Sequence, residues 1–136
     1  PHAAGEYIHA DIGITTQWGI PLVKSPTPSR VAGWSRYPAA PWNLILRGTE
    51  PPALPDLVLI DGRFRVACAL LSIRHLNNMH DFELLVDDYA GRPAYREIEH
   101  HAQLLFMRGR MAVFGPKHVE LDALDRALNA HMADWR

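Results

Sequence analysis

Two short apolar segments that each end in acidic residues constrain the fold of this chain more than any other feature. The first, 57–60, ends at Asp61-Gly62, and the second, 82–86, ends at Asp87-Asp88. The first segment is uniformly apolar, as is typical of a strand that is covered on both faces, and the second is predicted to be the next buried strand. Between them, apolar residues recur at helical spacing as far as Leu76. A strand, a helix and a second strand with short connections predict two parallel strands in an α/β sheet.

Further strands and helices are predicted on both sides of this unit. The residue pattern indicates a strand at 6–10, closed by Asp11-Ile12-Gly13, and another strand at 110–114. A helix is predicted from Pro93, because proline is favoured at the first helical position, and its apolar face continues to Leu105. A last helix is marked by Leu121, Leu124, Leu128 and Trp135. We therefore expect residues 1–136 to form a single α/β domain.

The segment at about 15–55 is rich in proline and in large aromatic residues. Its eight prolines are expected to prevent any long helix or central strand, and leave room only for a short helix at 29–34 or 41–46. The segment also carries Trp18, Trp34, Tyr37 and Trp42. Because aromatic side chains bring large apolar areas, we expect the segment to pack as an insertion or a lid.

The bulk properties of the chain exclude several classes of protein. The formal net charge of -1 over 136 residues gives no electrostatic case for a nucleic acid or a membrane as partner. No apolar run approaches the roughly 20 residues that span a bilayer. The single cysteine, Cys68, excludes an internal disulfide and a cysteine-pair metal site, and its apolar surroundings favour a core thiol. A cytoplasmic protein is the expectation.

The acids at the strand ends are the strongest candidates for a functional site. Strands of an open α/β sheet bind ligands beyond their carboxyl ends, where Asp61, Asp87 and Asp88 would meet. Carboxylate oxygens are the ligands that Mg²⁺ prefers, and adjacent carboxylates need a compensating cation or donors. The alternatives are a helix cap for Asp61 and a solvated turn for the acidic pair. Arg63 and Arg65 would either meet an anionic ligand or form surface ion pairs.

These residues resemble a known enzyme family. Residues 57–62, followed after one helix by 85–89, are similar to the second half of class I S-adenosylmethionine-dependent methyltransferases. The similarity is nearest to the metal-dependent sugar O-methyltransferases and more distant to catechol O-methyltransferase. Residues 7–13 resemble the family's fourth strand and the turn beside the adenine, and 110–114 its antiparallel last strand. The resemblance implies a Rossmann-like, mostly parallel open sheet with helices on both faces.

The resemblance also implies an activity and a set of site residues. In the family, the acids matching Asp61, Asp87 and Asp88 bind a divalent metal such as Mg²⁺, and one of them, here Asp61, serves as base. His9, Asp11 and Ile12 would lie on the cofactor side, and the acceptor would be a small hydroxylated molecule. The sugar enzymes carry a further acid and a tyrosine where this chain has 63–65.

The glycine-rich cofactor loop of the family has no match in this chain. We therefore expect the chain to start after the first strands of the fold, to be inactive alone, and to expose a sheet edge through which it could form a homo-oligomer. Two alternatives remain open. One is a non-catalytic methyltransferase-like binding module, and the other is a metal-dependent Rossmann-like transferase that acts on nucleotide sugars.

Overall fold

A four-stranded sheet and the helices packed against it form the centre of the protein. The computed structural model describes residues 5–136. The helices of this part are α1 (Pro28–Trp34), α2 (Arg36–Gly48), α3 (Arg65–Leu76), α4 (Glu97–His101) and α5 (Leu121–His131). The strands are β1 (Leu57–Ile60), β2 (Glu83–Val86), β3 (Gln103–Arg108) and β4 (Met111–Gly115). Within residues 5–136, no helix is both long enough and apolar enough to cross a membrane.

The sheet has the strand order β1-β2-β4-β3. β1 and β2 are parallel and joined through α3, as the sequence predicts. β4 then pairs antiparallel with β2, and β3 pairs antiparallel with β4 as a hairpin. The expected α/β open sheet is confirmed, but parallel pairing is confined to β1 and β2, because β4 runs antiparallel to β2 and β3 returns along β4.

The two faces of the parallel pair differ in burial. Ile60, Leu84 and Val86 are buried on the side where α3 packs. Leu57 and Leu59, which alternate with Ile60 along β1, are 55% and 61% exposed. Successive side chains of a strand point to opposite faces, so these leucines mark the other side of β1. Within the described residues, that side of β1 lacks the helical layer that the sequence prediction placed on both faces.

Helix α3 is the main packing element of the domain. Eight of its 12 residues are buried, because the helix contacts β1, β2, α2, α4 and α5. Burying a large aliphatic side chain stabilises a fold by about 1.5–3 kcal/mol, so this helix contributes much of the core. Its start, immediately after the turn at Asp61-Gly62, fixes the geometry of the strand end.

The proline-rich segment forms two helices, against the prediction that its prolines prevent a long one. α2 has 13 residues and includes Pro38 and Pro41. Pro38 lies in the first turn, where a backbone N–H has no partner within the helix. Pro41 lies on the exposed side, where water can bond to the freed carbonyl. Burial of Trp42 and of Trp34 at the end of α1 offsets the cost.

Two further predictions of secondary structure are wrong. Residues 6–10 are irregular and exposed apart from the half-buried Ala10, because no neighbouring strand supplies partners for their backbone groups. The helix predicted from Pro93 to Leu105 ends at His101, and Leu105 lies in β3. The apolar run in β3 pairs with β4 through the turn at Gly109, whose φ is +62°. Hairpin pairing has overridden the helical spacing that the sequence showed.

Candidate functional site at the ends of the parallel strands

The carboxyl ends of β1 and β2 bring the three predicted acids together. Ile60 is paired with Val86 in the parallel register, and the Asp87 backbone N–H donates to the Ile60 carbonyl at 3.0 Å. Asp61 and Asp87 therefore leave adjacent strands at the same edge of the sheet. Parallel pairing, which the sequence predicts from the strand-helix-strand pattern, is what places them there.

The turn between β1 and α3 is held in a demanding conformation. Phe64 has a φ of +52°, a left-handed conformation that is uncommon for a residue with a large side chain. Its fully buried ring contacts Trp34 and Tyr37, each at 5.8 Å between centroids, and its N–H donates to the Trp135 carbonyl. Beside it, Gly62 lets the Tyr37 side chain approach closely, because a Cβ at position 62 would force the Tyr37 hydroxyl to move. Packing thus fixes the direction in which Arg65 enters the site.

Arg65 links the ends of the two parallel strands. Its guanidinium lies 3.3 Å from Asp61 Oδ1 and 3.4 Å from Asp88 Oδ2, and it also donates to the Tyr95 hydroxyl at 3.4 Å. Arg65 is only 4% exposed. A buried guanidinium needs paired carboxylates, and removing one partner of such a pair is strongly destabilising. Neither a helix cap nor a surface pair describes this arrangement, since α3 has no side-chain cap bond.

Arg110 clamps the acidic pair from the hairpin. Its Nε lies 3.2 Å from Asp87 Oδ1 and its NH2 lies 2.9 Å from Asp87 Oδ2, while its NH1 lies 3.3 Å from Asp88 Oδ1. The Arg110 guanidinium lowers the pKa of the Asp87 carboxyl by hydrogen bonding to it. Arg92 adds a further contact, at 3.2 Å, to Asp88 Oδ2. Asp88 itself has a φ of +56°, and its carboxylate contacts Arg65, Arg92 and Arg110.

The residues as arranged do not fit the expected divalent cation. Guanidinium nitrogens contact both oxygens of Asp87, both oxygens of Asp88 and one oxygen of Asp61. Within residues 5–136, no group of three or more acidic, histidine or cysteine side chains is arranged to hold a metal ion. Sequence reasoning did not anticipate that arginines would contact these carboxylate oxygens, and the assignment of Asp61, Asp87 and Asp88 to a metal stays a prediction.

Asp61 keeps one carboxylate oxygen without a protein partner among the described residues, and that side chain is 59% exposed. It lines a cavity of about 550 Å³ that runs beside β1. Pockets of about 300–1,000 Å³ are typical of small-molecule sites. The walls come from β1, from α2 and from the start of α3, and include Tyr37, Trp42, Arg63, Cys68 and Ser72.

Cys68 and Arg63 supply two of the polar groups of this cavity. Burial raises the pKa of the Cys68 thiol to about 12. Cys68 Sγ donates to the Arg63 carbonyl at 3.6 Å, so the thiol is a protonated wall group and not a nucleophile. The buried Nε of Arg63 has no hydrogen-bond partner in residues 5–136.

The predicted cofactor residues lie near this cavity but do not line it. His9 and Asp11 are exposed, and Ile12 is half-buried. The Asp11 carboxylate accepts a hydrogen bond from the Gly13 backbone at 2.9 Å, which is a local turn. Their neighbours Ile8 and Ala10 do contribute to the cavity wall. The assignment of His9, Asp11 and Ile12 to a cofactor stays a prediction.

Sequence reasoning missed Arg110, Arg92 and the buried role of Arg65. A signal for them was present, because each acid at the strand ends has an arginine two to five positions away or at the predicted turn. The turn before the 110–114 strand lies next to β2 only when β4 pairs with β2. The family resemblance implies an antiparallel strand at 110–114 but does not say which strand it pairs with, and it is the pairing with β2 that delivers Arg110 to the acids.

Comparison with known proteins identifies a solved structure with a similar fold. Neither a protein-family model nor a curated protein matches the chain. A crystal structure at 1.80 Å of a methyltransferase-like protein from Silicibacter pomeroyi DSS-3 matches with a TM-score of 0.68 and 33% sequence identity. The alignment covers 92% of this chain, and the chain spans 59% of the length of that protein. The chain has a methyltransferase-like α/β fold.

Proposed function

We propose that this chain is the acceptor-side part of an S-adenosylmethionine-dependent methyltransferase that acts on an oxygen of a small hydroxylated molecule. One observation carries the proposal. Asp61 presents a carboxylate oxygen without a protein partner in residues 5–136, at a cavity of about 550 Å³, beyond the carboxyl end of a parallel strand in a methyltransferase-like fold. Ligands of open α/β sheets bind at such strand ends.

The proposed reaction uses Asp61 as a general base. The acceptor oxygen attacks the methyl carbon of the sulfonium, so that an oxygen–carbon bond forms while the sulfur–carbon bond breaks. The products are the methyl ether and neutral S-adenosylhomocysteine, and the hydroxyl proton passes to Asp61 Oδ2. Arg65 contacts the other oxygen of this carboxylate and so fixes its direction.

The cofactor would approach from the side of the N-terminal segment. His9, Asp11 and Ile12 are the residues that we propose for its adenosine, on the basis of the family resemblance. Support comes from their neighbours Ile8 and Ala10, which line the same cavity as Asp61. S-adenosylmethionine supplies the electrophilic methyl group, and the chain supplies the acceptor site.

A second candidate function is a binding module without catalysis. It is favoured by the pairing of every strand-end acid with an arginine, since carboxylates that are held by guanidiniums can serve to position a ligand without taking part in chemistry. In that case the cavity would hold a ligand and Asp61 would only orient it. The two functions differ in whether the protein transfers a methyl group at all, and the catalytic one predicts that this transfer depends on the Asp61 carboxylate.

Substitution of Asp61 separates the two functions. We expect Asp61→Asn, in the complete natural protein, to reduce the turnover of labelled methyl transfer from S-adenosylmethionine to a panel of hydroxylated acceptors by about 10²–10⁴-fold, the usual contribution of a general base. Binding of S-adenosylhomocysteine should be unchanged. The matched control is Asp56→Asn, an exposed acid just before the other end of β1.

Two results would count against catalysis at Asp61. Absence of transfer to every acceptor, with S-adenosylhomocysteine still bound, would favour the binding module. Turnover of Asp61→Asn equal to that of Asp56→Asn would exclude Asp61 as the base.

A further inference from the structure

Five carboxylate oxygens at the strand ends are contacted by guanidinium nitrogens. Arg110 contacts both oxygens of Asp87 and one of Asp88, and Arg65 contacts the other oxygen of Asp88 and one of Asp61. The contact distances lie between 2.9 and 3.4 Å. Asp61, Asp87 and Asp88 together have six carboxylate oxygens, and within residues 5–136 only Asp61 Oδ2 has no such contact.

The charges of the cluster balance without a metal ion. Three carboxylates carry a charge of −3, and the three guanidiniums of Arg65, Arg92 and Arg110 that contact them carry +3. A divalent cation among the same oxygens would lie within a few ångströms of several positive groups. Like charges at such separations repel strongly where solvent is partly excluded.

Arg65 is built into the core, whereas the 68% exposed side chain of Arg110 is held at the acids by its hydrogen bonds to Asp87 and by the backbone of its own turn. Arg65 is 4% exposed, and its guanidinium is also bonded to the Tyr95 hydroxyl, whose residue is buried. The carbonyl of Arg110 accepts hydrogen bonds from the backbone N–H groups of Tyr89 and Ala90, at 2.8 and 3.1 Å. Backbone and side chain of Arg110 therefore hold the same loop that carries the acidic pair.

We infer that Arg65 and Arg110 take the place of a divalent cation at this site, and that the protein binds its ligands and acts without a metal. Arg65 joins the end of β1 to the end of β2, as a shared metal ion would, and leaves Asp61 with one oxygen for a ligand. The inference about metal binding stands without the proposed function, whereas the use of that oxygen for catalysis rests on it.

The test is whether removal of a guanidinium creates a metal site. In the wild-type protein we expect no saturable binding of Mn²⁺ at millimolar concentration by electron paramagnetic resonance, and no change of melting temperature with MgCl₂ or EDTA. Arg110→Met frees three carboxylate oxygens and should acquire saturable Mn²⁺ binding. Because the Arg110 side chain is 68% exposed, the variant is expected to fold.

Matched variants identify the ligands of the acquired site. Arg110→Met combined with Asp87→Asn should lose the acquired Mn²⁺ binding. Arg108→Met, an exposed arginine of the same hairpin, should bind as little Mn²⁺ as the wild type. Saturable Mn²⁺ binding by the wild type that Asp87→Asn abolishes would overturn the inference, and so would an Arg110→Met protein that folds and acquires no Mn²⁺ binding. Neither readout requires an acceptor or a measured activity, so failure here is distinct from failure of the proposed function.

Discussion

At the scale of single residues, the ion pair between Asp87 and Arg110 makes stability depend on pH. Two parallel hydrogen bonds from a guanidinium favour the charged form of a carboxylate. The hydrogen bonding from Arg110 is the largest cause of the lowered pKa of Asp87. A carboxyl whose pKa is lower in the folded state binds fewer protons there than in the unfolded state. Its contribution to stability is therefore present above the unfolded-state pKa and lost as pH falls through the folded-state pKa.

We expect Asp87→Asn to make the stability of the protein less dependent on pH in the acidic range. In the wild type, the urea midpoint should fall as pH drops below about 3.9, the ordinary pKa of an aspartate. The variant lacks the titrating group and should show a smaller decrease over the same range, from a lower starting point. Asp81→Asn, an exposed position just before the other end of β2, is the control. Parallel pH profiles for wild type and Asp87→Asn would contradict the role given to this pair.

Residues of the site were predictable where they follow directly from strand ends. Asp61, Asp87 and Asp88 meet because adjacent parallel strands end together, and the chain order alone indicates this. Arg65 and Arg110 were not predictable in their roles. The first depends on a left-handed turn at Phe64, and the second on the antiparallel pairing of β4 with β2. Neither feature has a local signal in the sequence.

At the scale of elements, α2 shows that the proline-rich segment belongs to the core. Trp42 is buried and stacks on His75 of α3, with 4.7 Å between ring centroids and 21° between planes. Trp34, at the end of α1, packs against Phe64 at the turn of the site. Trp18 of the same segment is 82% exposed. The three tryptophans of the segment thus divide into two that anchor helices and one that lies on the surface.

Replacement of the anchoring tryptophan should destabilise the whole domain. Trp42→Ala removes a buried indole, and such changes cost about 3–5 kcal/mol. Trp18→Ala should change the free energy of unfolding by less than about 0.5 kcal/mol, as exposed substitutions usually do. Urea unfolding monitored by circular dichroism measures both variants. If Trp42→Ala matched Trp18→Ala, α2 would be a lid that opens independently of the core.

The elements were predictable where the residue pattern was unambiguous. The bounds of β1, α3 and β2 lie close to those predicted from the sequence, because the apolar runs and the helical spacing agree with the way these elements pack in the fold. The patterns at 6–10 and 93–105 favoured elements that tertiary pairing did not support. In the first case no strand lies beside the segment, and in the second the hairpin of β3 and β4 recruits residues that local spacing assigned to a helix.

At the scale of the whole molecule, the sheet order positions both the cavity and the charged cluster. β1 lies at the edge of the four strands, so the cavity opens beside it, while β2 is flanked by β1 and β4. The acids come from the parallel half of the sheet and Arg110 from the antiparallel half. The overall α/β class can be predicted from one strand-helix-strand unit in the sequence. The site cannot, because it depends on how the antiparallel half of the sheet pairs with the parallel half.

The most direct test of the account is a calorimetric titration of the complete natural protein with S-adenosylhomocysteine in the presence of EDTA. The account predicts saturable binding without any divalent cation, and no binding of a nucleotide sugar under the same conditions. Asp61→Asn should bind S-adenosylhomocysteine as tightly as the wild type, because Asp61 is assigned to the acceptor and not to the cofactor. Binding of the nucleotide sugar in place of S-adenosylhomocysteine, or binding that appears only when Mg²⁺ is restored, would contradict the account.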